Sequence, residues 1–200
     1  MERPRKIREI WKRLTEGWFG YIFYAFLGIL FAYLLQSVVL SFLLQTDLPV
    51  VAVFSGSMDH GINAQGSPCH TTVSDYTESF DNWWNVCKSF YENVGIGKEK
   101  FSTFPFNDGF KRGDMPILQG SDNYNVGDVI VYSVSMESAP IIHRVISINP
   151  DGTFQTKGDH NFGQNPYEYN VKKSQIHGKV IFIVPKLGYF KVLLTELLGV

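Results

Sequence analysis

The sequence predicts a mainly β domain of barrel or sandwich type, standing behind one N-terminal transmembrane helix and carrying an inserted cap subdomain. Three observations predict it. Residues 17–46 form a 30-residue stretch without Asp, Glu, Lys, Arg or His. From Gly113 onward, short apolar or alternating runs are separated by turn residues, the texture of a small all-β domain. Between these, residues 59–108 are rich in Asn, Ser, Thr, Asp, Gly and aromatics and hold both cysteines, a change of character that marks an insertion.

The apolar stretch is the first element. A bilayer core needs about 20 apolar residues as a helix, and a cleaved targeting peptide has an apolar region of only about 7–15. The expected span covers residues 18–44. Trp11, Trp18, Tyr21 and Tyr24 cluster at one end, where amphipathic rings favour the interface. Residues 1–16 carry six basic and three acidic groups, a basic arm that should stay cytosolic. The chain then crosses once, and residues 47–184 form a β-rich domain outside the cytosol.

After the span, residues 48–54 (LPVVAVF) read as a strand. Further strands are expected at 115–119, 129–135, 141–149, 153–157 and 176–184. Asn149-Pro150-Asp151-Gly152 between two of them is a hairpin signal. Inside the insertion, residues 81–93 read as a helix with Trp84, Cys87, Lys88 and Tyr91 along one side. Cys69 and Cys87 are expected to pair in an oxidising compartment, both lying in one polar segment. Residues 185–200 are apolar but interrupted by Pro185, Lys186, Gly188, Lys191 and Glu196, which fits a membrane-associated segment better than a second span.

The overall charge of −1 is neutral on partners. A nucleic-acid binder would carry a basic stripe on its folded part, and the residues after the span show none.

The candidate chemistry begins at Ser55-Gly56-Ser57-Met58, directly after a strand. A serine becomes a nucleophile only when a base removes its proton. Of the five histidines, His143 stands out. It sits inside the apolar strand Pro140-Ile-Ile-His-Arg-Val-Ile-Ser-Ile148, where its imidazole needs either solvent or a polar partner, and its near-neutral pKa suits general-base work. A third group should hold it in the correct tautomer. Asp159, in Thr156-Lys-Gly-Asp-His-Asn161, follows the strand that hairpins with the His143 strand, within plausible reach.

Together, a strand ending in SGSM, a GDVIVY strand, an IIHRVI strand and a TKGDHN turn, in that order behind one span, resemble type I signal peptidases. The resemblance is to the archaeal and endoplasmic reticulum branch, whose base is His where the bacterial branch has Lys. It covers residues 18–58 and 110–190. It implies that Ser57 attacks the scissile carbonyl, that His143 takes its proton and returns it to the leaving amine, and that Asp159 orients the imidazole. The Ser57 backbone N–H, with the Ser55 hydroxyl, would bind the oxyanion. The Gly113-Asp114 and Gly127-Asp128 turns match positions read as structural. In one respect the sequence departs from the family: a second acidic residue, often present six positions after the Gly-Asp aspartate, is here Asn165. Asn can orient His by hydrogen bonding but cannot stabilise the imidazolium by charge, so the acid role falls to Asp159. Glu168 is a weaker substitute, since three residues of extended chain span about 10 Å.

The resemblance further implies a membrane-bound serine endopeptidase of the cell or endoplasmic reticulum membrane, acting on preprotein signal peptides and cutting after small residues. The lipid bilayer and the translocation machinery are the expected partners, and the mechanism requires neither metal nor cofactor. About ten residues separate the span from Ser57, so at ~3.3 Å each the nucleophile lies within roughly 35 Å of the membrane. Val53, Phe54, Met58 and Val145 are the expected pocket residues. Two other readings stay open: a self-cleaving protease related to SOS-type repressors, and a membrane-tethered binding module built on the insertion.

Overall fold

The computed structural model describes Glu9, Lys12 and residues 15–70 and 76–198. Most of the expected basic arm (1–16), with Trp11, and residues 71–75 of the insertion lie outside the described residues. The chain divides into two compact units, Met1–Leu43 and Leu44–Val200.

The first unit is built on helix α1, Gly17–Leu44, whose 28 residues are long and apolar enough to cross a membrane. At ~1.5 Å per residue it reaches about 42 Å, more than the ~30 Å of a hydrocarbon core. Phe19, Ile29, Phe31 and Phe42 are exposed along it, an apolar surface of the kind that meets lipid or another protein. Over Leu35–Leu40 the winding widens to a π-helix, and there the Ser37 hydroxyl donates to the Tyr33 carbonyl at 2.6 Å.

The second unit contains one five-stranded antiparallel sheet: β1 (Met115–Gln119), β2 (Val129–Tyr132), β3 (Ile141–Ile148), β4 (Phe154–Lys157) and β5 (Ile176–Val184), in the order β1-β5-β2-β3-β4. β2 is buried on both faces. Val129 and Val131 enter a core with Val51, Val53, Met58, Leu118 and Val180, whereas Ile130 and Tyr132 enter another with Tyr124, Val145, Phe154 and Val171. Strand alternation alone produces this division. The β3–β4 hairpin closes as the NPDG signal requires: the Gly152 N–H donates to the Asn149 carbonyl at 2.9 Å, and Asp151 Oδ1 accepts the Thr153 N–H at 3.0 Å.

The strand expected at 48–54 is extended chain running beside β1, not a regular strand. Val51 N–H donates to Pro116 O, Val53 N–H to Asp114 O, and Leu118 N–H to Pro49 O. Pro116 has no N–H to return, so the ladder cannot close at its centre.

The insertion folds on helix α2 (Phe80–Asn93) and the short helix α3 (Lys98–Ser102). Ser79 caps α2 by accepting the Asn82 N–H at 3.2 Å. Its buried residues are Trp83, Trp84, Cys87 and Tyr91. Lys88, expected on that side, is exposed; the turn-to-turn contact is made by Trp83, whose ring is fully buried against Phe101 at 4.9 Å between centroids. Ile146 of β3 joins this aromatic core, so the insertion is packed onto the sheet. Cys69 and Cys87 form a disulfide with Cα atoms 5.5 Å apart. The C-terminal helix α4, Tyr189–Leu198, leaves Phe190, Leu193 and Leu197 exposed.

Candidate active site

Three backbone segments converge on one cleft of about 690 Å³. The first is the Ser55–Ser57 turn that follows the extended segment. Its Gly56 leaves room for Asn63: a Cβ there would lie 2.2 Å from Asn63 Nδ2 and displace that side chain, which donates to the Gly56 carbonyl at 3.1 Å. The second is β3, which presents His143 opposite Ile130 of β2. The third is the turn after β4, where the His160 N–H donates to the Ser57 carbonyl at 2.8 Å. Gly158 in that turn lets the His143 imidazole and the Ser57 backbone both approach it, because a Cβ on it would meet His143 Nε2 at 2.7 Å and the Ser57 carbonyl oxygen at 2.8 Å. Ser57 and His143 both line the cleft, and the Ser55 and Ser57 hydroxyl oxygens are 3.1 Å apart.

His143 is buried, and its Nδ1 lies 2.5 Å from Glu168 Oε1. A carboxylate can only accept, so Nδ1 donates, and Nε2, which faces Gly158, is left as an acceptor. Glu168 is fully buried, and its second oxygen accepts the Asn165 N–H at 2.6 Å. The partner of the imidazole is therefore Glu168, which corrects the expectation for Asp159.

The physical reason lies in strand alternation. His143 and its neighbour Arg144 point to opposite faces of β3, and Asp159 serves the Arg144 face. Arg144 Nη2 donates to Asp159 Oδ2 at 2.7 Å and Nε to Oδ1 at 3.0 Å. Tyr91 of the insertion donates to Asp159 Oδ1 at 2.8 Å, and His60 Nε2 lies 3.2 Å from Oδ2. Burial by itself would raise this carboxyl, but the Arg144 guanidinium and the His60 hydrogen bond overcome it and hold Asp159 well below the usual carboxylate range. Asp159 anchors the turn; its carboxylate bonds to Arg144, Tyr91 and His60, and not to His143.

Asn165, expected as a secondary orienting residue, acts on Glu168. It stands at the N-cap of the 3₁₀ turn Pro166–Glu168, with Pro at the first turn position. Its side chain donates to the Tyr167 hydroxyl at 3.0 Å, away from the imidazole. A 3₁₀ turn rises only about 2 Å per residue, so Glu168 lies much nearer the turn than extended chain would put it. The pattern Asn-Pro-Tyr-Glu, with Glu three residues after a capping Asn and reaching back to its N–H, is a legible signal for this fold-back.

Lys157, opposite Arg144 on β4, is fully buried. Its Nζ donates to the Gly158 carbonyl at 3.0 Å and stands about 5 Å from the Phe90 and Tyr91 rings. Burial pushes it down to about 8, Asp159 and Glu168 opposing in part. Of the expected pocket residues, Val53, Phe54 and Met58 line the cleft, whereas Val145 is sealed in the core with Tyr132 and Phe154. The two Gly-Asp turns are structural: Asp114 Oδ2 accepts the Lys111 N–H at 2.8 Å, and Asp128 Oδ2 the Asn125 N–H at 3.0 Å.

Against this geometry stand the similarities to known proteins. The signal peptidase complex catalytic subunit SEC11 of Eremothecium gossypii is 39% identical over 98 residues, which covers 44% of this chain and 59% of that protein. Its namesake from Chaetomium globosum is 32% identical over 98 residues, covering 44% and 57%. That of Lachancea thermotolerans is 36% identical over 99 residues, covering 44% and 59%. The homologues of this chain are signal peptidase catalytic subunits. The chain spans less than two thirds of the length of these relatives. No family model matches it. The apolar N-terminal helix and the antiparallel β domain fit a signal-peptidase-like fold.

Proposed function

We propose that this chain is a membrane-bound serine endopeptidase that removes signal peptides from preproteins, with Ser57 as nucleophile, His143 as general base and Glu168 as the orienting acid. The single observation that carries the reading is the buried His143–Glu168 pair, which leaves Nε2 free at the point where Gly158 meets Ser57. Glu168 fixes the tautomer and stabilises the imidazolium that forms when Ser57 gives up its proton; the charge it supplies is what Asn165 lacks. His143 then returns the proton to the leaving amine. The Ser57 N–H and the Ser55 hydroxyl, 3.1 Å from the Ser57 oxygen, are the oxyanion donors.

Helix α1 serves as the anchor, with its N-terminal end cytosolic and the cleft outside the cytosol, at the endoplasmic reticulum or cell membrane. The Cys69–Cys87 disulfide supports an oxidising compartment. Substrate and enzyme then meet in the plane of the bilayer, with small side chains before the cut and with the translocation machinery as a neighbour. The test is cleavage of a preprotein by the full chain in lipid. Wild type should release the mature protein and Ser57→Ala should not, while still inserting in the membrane; undiminished release by that variant would sink the assignment.

A further inference from the structure

Two residues of the insertion, Gln65 and His70, reach the cleft that holds Ser57 and His143. The turn that brings His70 there is conformationally costly. Cys69 and His70 have φ of 53° and 55°, a left-handed region that residues with a Cβ disfavour. Such a turn persists only where its surroundings fix it. Two ties do so: the bond from Cys69 to the buried Cys87 of α2, and the Cys69 N–H donated to the His160 carbonyl at 2.8 Å.

The side chain so placed is not used by the core. His70 is exposed, and its ring stacks on Phe162 with centroids 6.0 Å apart and planes 16° from parallel. Phe162 is 68% exposed and lines the same cleft. A pair of flat rings, held open to solvent at the mouth of a cleft by a strained and cross-linked turn, gains apolar burial only when something lies against it. Glu137 is the one carboxylate among the residues lining the cleft, and it disfavours an acidic occupant.

We propose that His70 and Phe162 form a specificity subsite that selects a bulky apolar side chain of the substrate peptide, at a position other than those directly preceding the cut. This rests on the reading of Ser57, His143 and Glu168 as a peptidase site. The insertion then contributes to substrate choice as well as to the core.

The experiment uses the full chain in lipid and a panel of preproteins in which each position from the sixth before to the fifth after the cut is varied among Ala, Leu, Phe and Asp. Wild type should prefer Leu or Phe at one position. His70→Ala and Phe162→Ala, both at exposed residues, should lose that preference by three- to tenfold in kcat/KM, through KM and with kcat unchanged, and Phe162→Tyr should restore it. Preference profiles of the variants that coincide with wild type at every position would overturn the subsite alone, provided Ser57→Ala is inactive on the same panel. Cleavage that survives in Ser57→Ala, or no cleavage by wild type, would overturn the peptidase reading and the subsite with it.

Discussion

Glu168 Oε1 lies 2.5 Å from His143 Nδ1, and the other oxygen of the same carboxylate is held by the Asn165 backbone N–H. One acidic side chain thus sits between the strand that carries the base and the turn that caps it. Glu168→Gln keeps the shape but loses the charge and admits the wrong tautomer. It should lower kcat for preprotein cleavage by about 10³- to 10⁴-fold with little change in KM. Asp159→Asn should not reproduce that kinetic signature in whatever fraction remains folded. Equal kcat in Glu168→Gln and wild type would return the acid role to another residue.

Gly158 makes a sharper steric prediction. A methyl there would stand 2.7 Å from His143 Nε2 and 2.8 Å from the Ser57 carbonyl oxygen, and one of the two must move. Displacing reacting groups by about 1 Å costs on the order of 100-fold in rate. Gly158→Ala should show at least that loss in single-turnover cleavage while retaining a folded domain by circular dichroism.

Asp159 is a matter of stability. Asp159→Asn leaves the fully buried Arg144 guanidinium without its counter-ion, which should cost about 3–5 kcal/mol in denaturant unfolding. Because the folded carboxyl is held below its unfolded value of about 3.9, its contribution is complete above that pH and is lost as pH falls through the folded value. The acid limb of the wild-type stability curve should therefore be steeper than that of the variant.

Much of this was legible in the sequence, and the parts that were not have a common physical cause. The charge-free run gave α1, and alternation with turn residues gave all five strands to within a few residues. Ser57 and His143, which line one cleft, stand out in the sequence because a serine turn after an extended run and a histidine inside an apolar strand are chemically distinctive. Glu168 is hard to read from the sequence because extended chain would carry it about 10 Å beyond Asn165, whereas Pro166 and the capping Asn fold that segment into a 3₁₀ turn. Asp159 misleads because proximity along a hairpin says nothing about which face a neighbour occupies; Arg144, one residue from His143, claims it. The links that tie the insertion to the catalytic turns, Tyr91 to Asp159 and Cys69 to His160, join residues 68 and 91 positions apart and leave no local pattern.

Lys157 predicts the same sign of pH dependence as Asp159, in an alkaline window instead of an acid one. With its ammonium pushed down to about 8 in the folded state against about 10.4 unfolded, the unfolded chain binds the extra proton between those values. Stability should rise across that window by on the order of 3 kcal/mol relative to Lys157→Met, which lacks the titration. Parallel curves for the two proteins from pH 8 to 10.5 would contradict the burial of a charged Lys157.

The disulfide closes a loop between residues 18 positions apart. Cross-linking a loop of that size is worth about 3 kcal/mol by unfolded-state entropy. The Cys69→Ser/Cys87→Ser double variant should unfold earlier in denaturant by that amount, and reductant should shift wild type toward it while leaving the double variant unmoved.

The central claim is that His143, oriented by Glu168, activates Ser57. Treating the full chain in lipid with a serine-directed electrophile and mapping the adduct by mass spectrometry tests it most directly. The account predicts one adduct per chain, on Ser57, formed at least 100-fold more slowly in His143→Ala and in Glu168→Gln. An adduct on another serine, or labelling of Ser57 at the wild-type rate in His143→Ala, would contradict it.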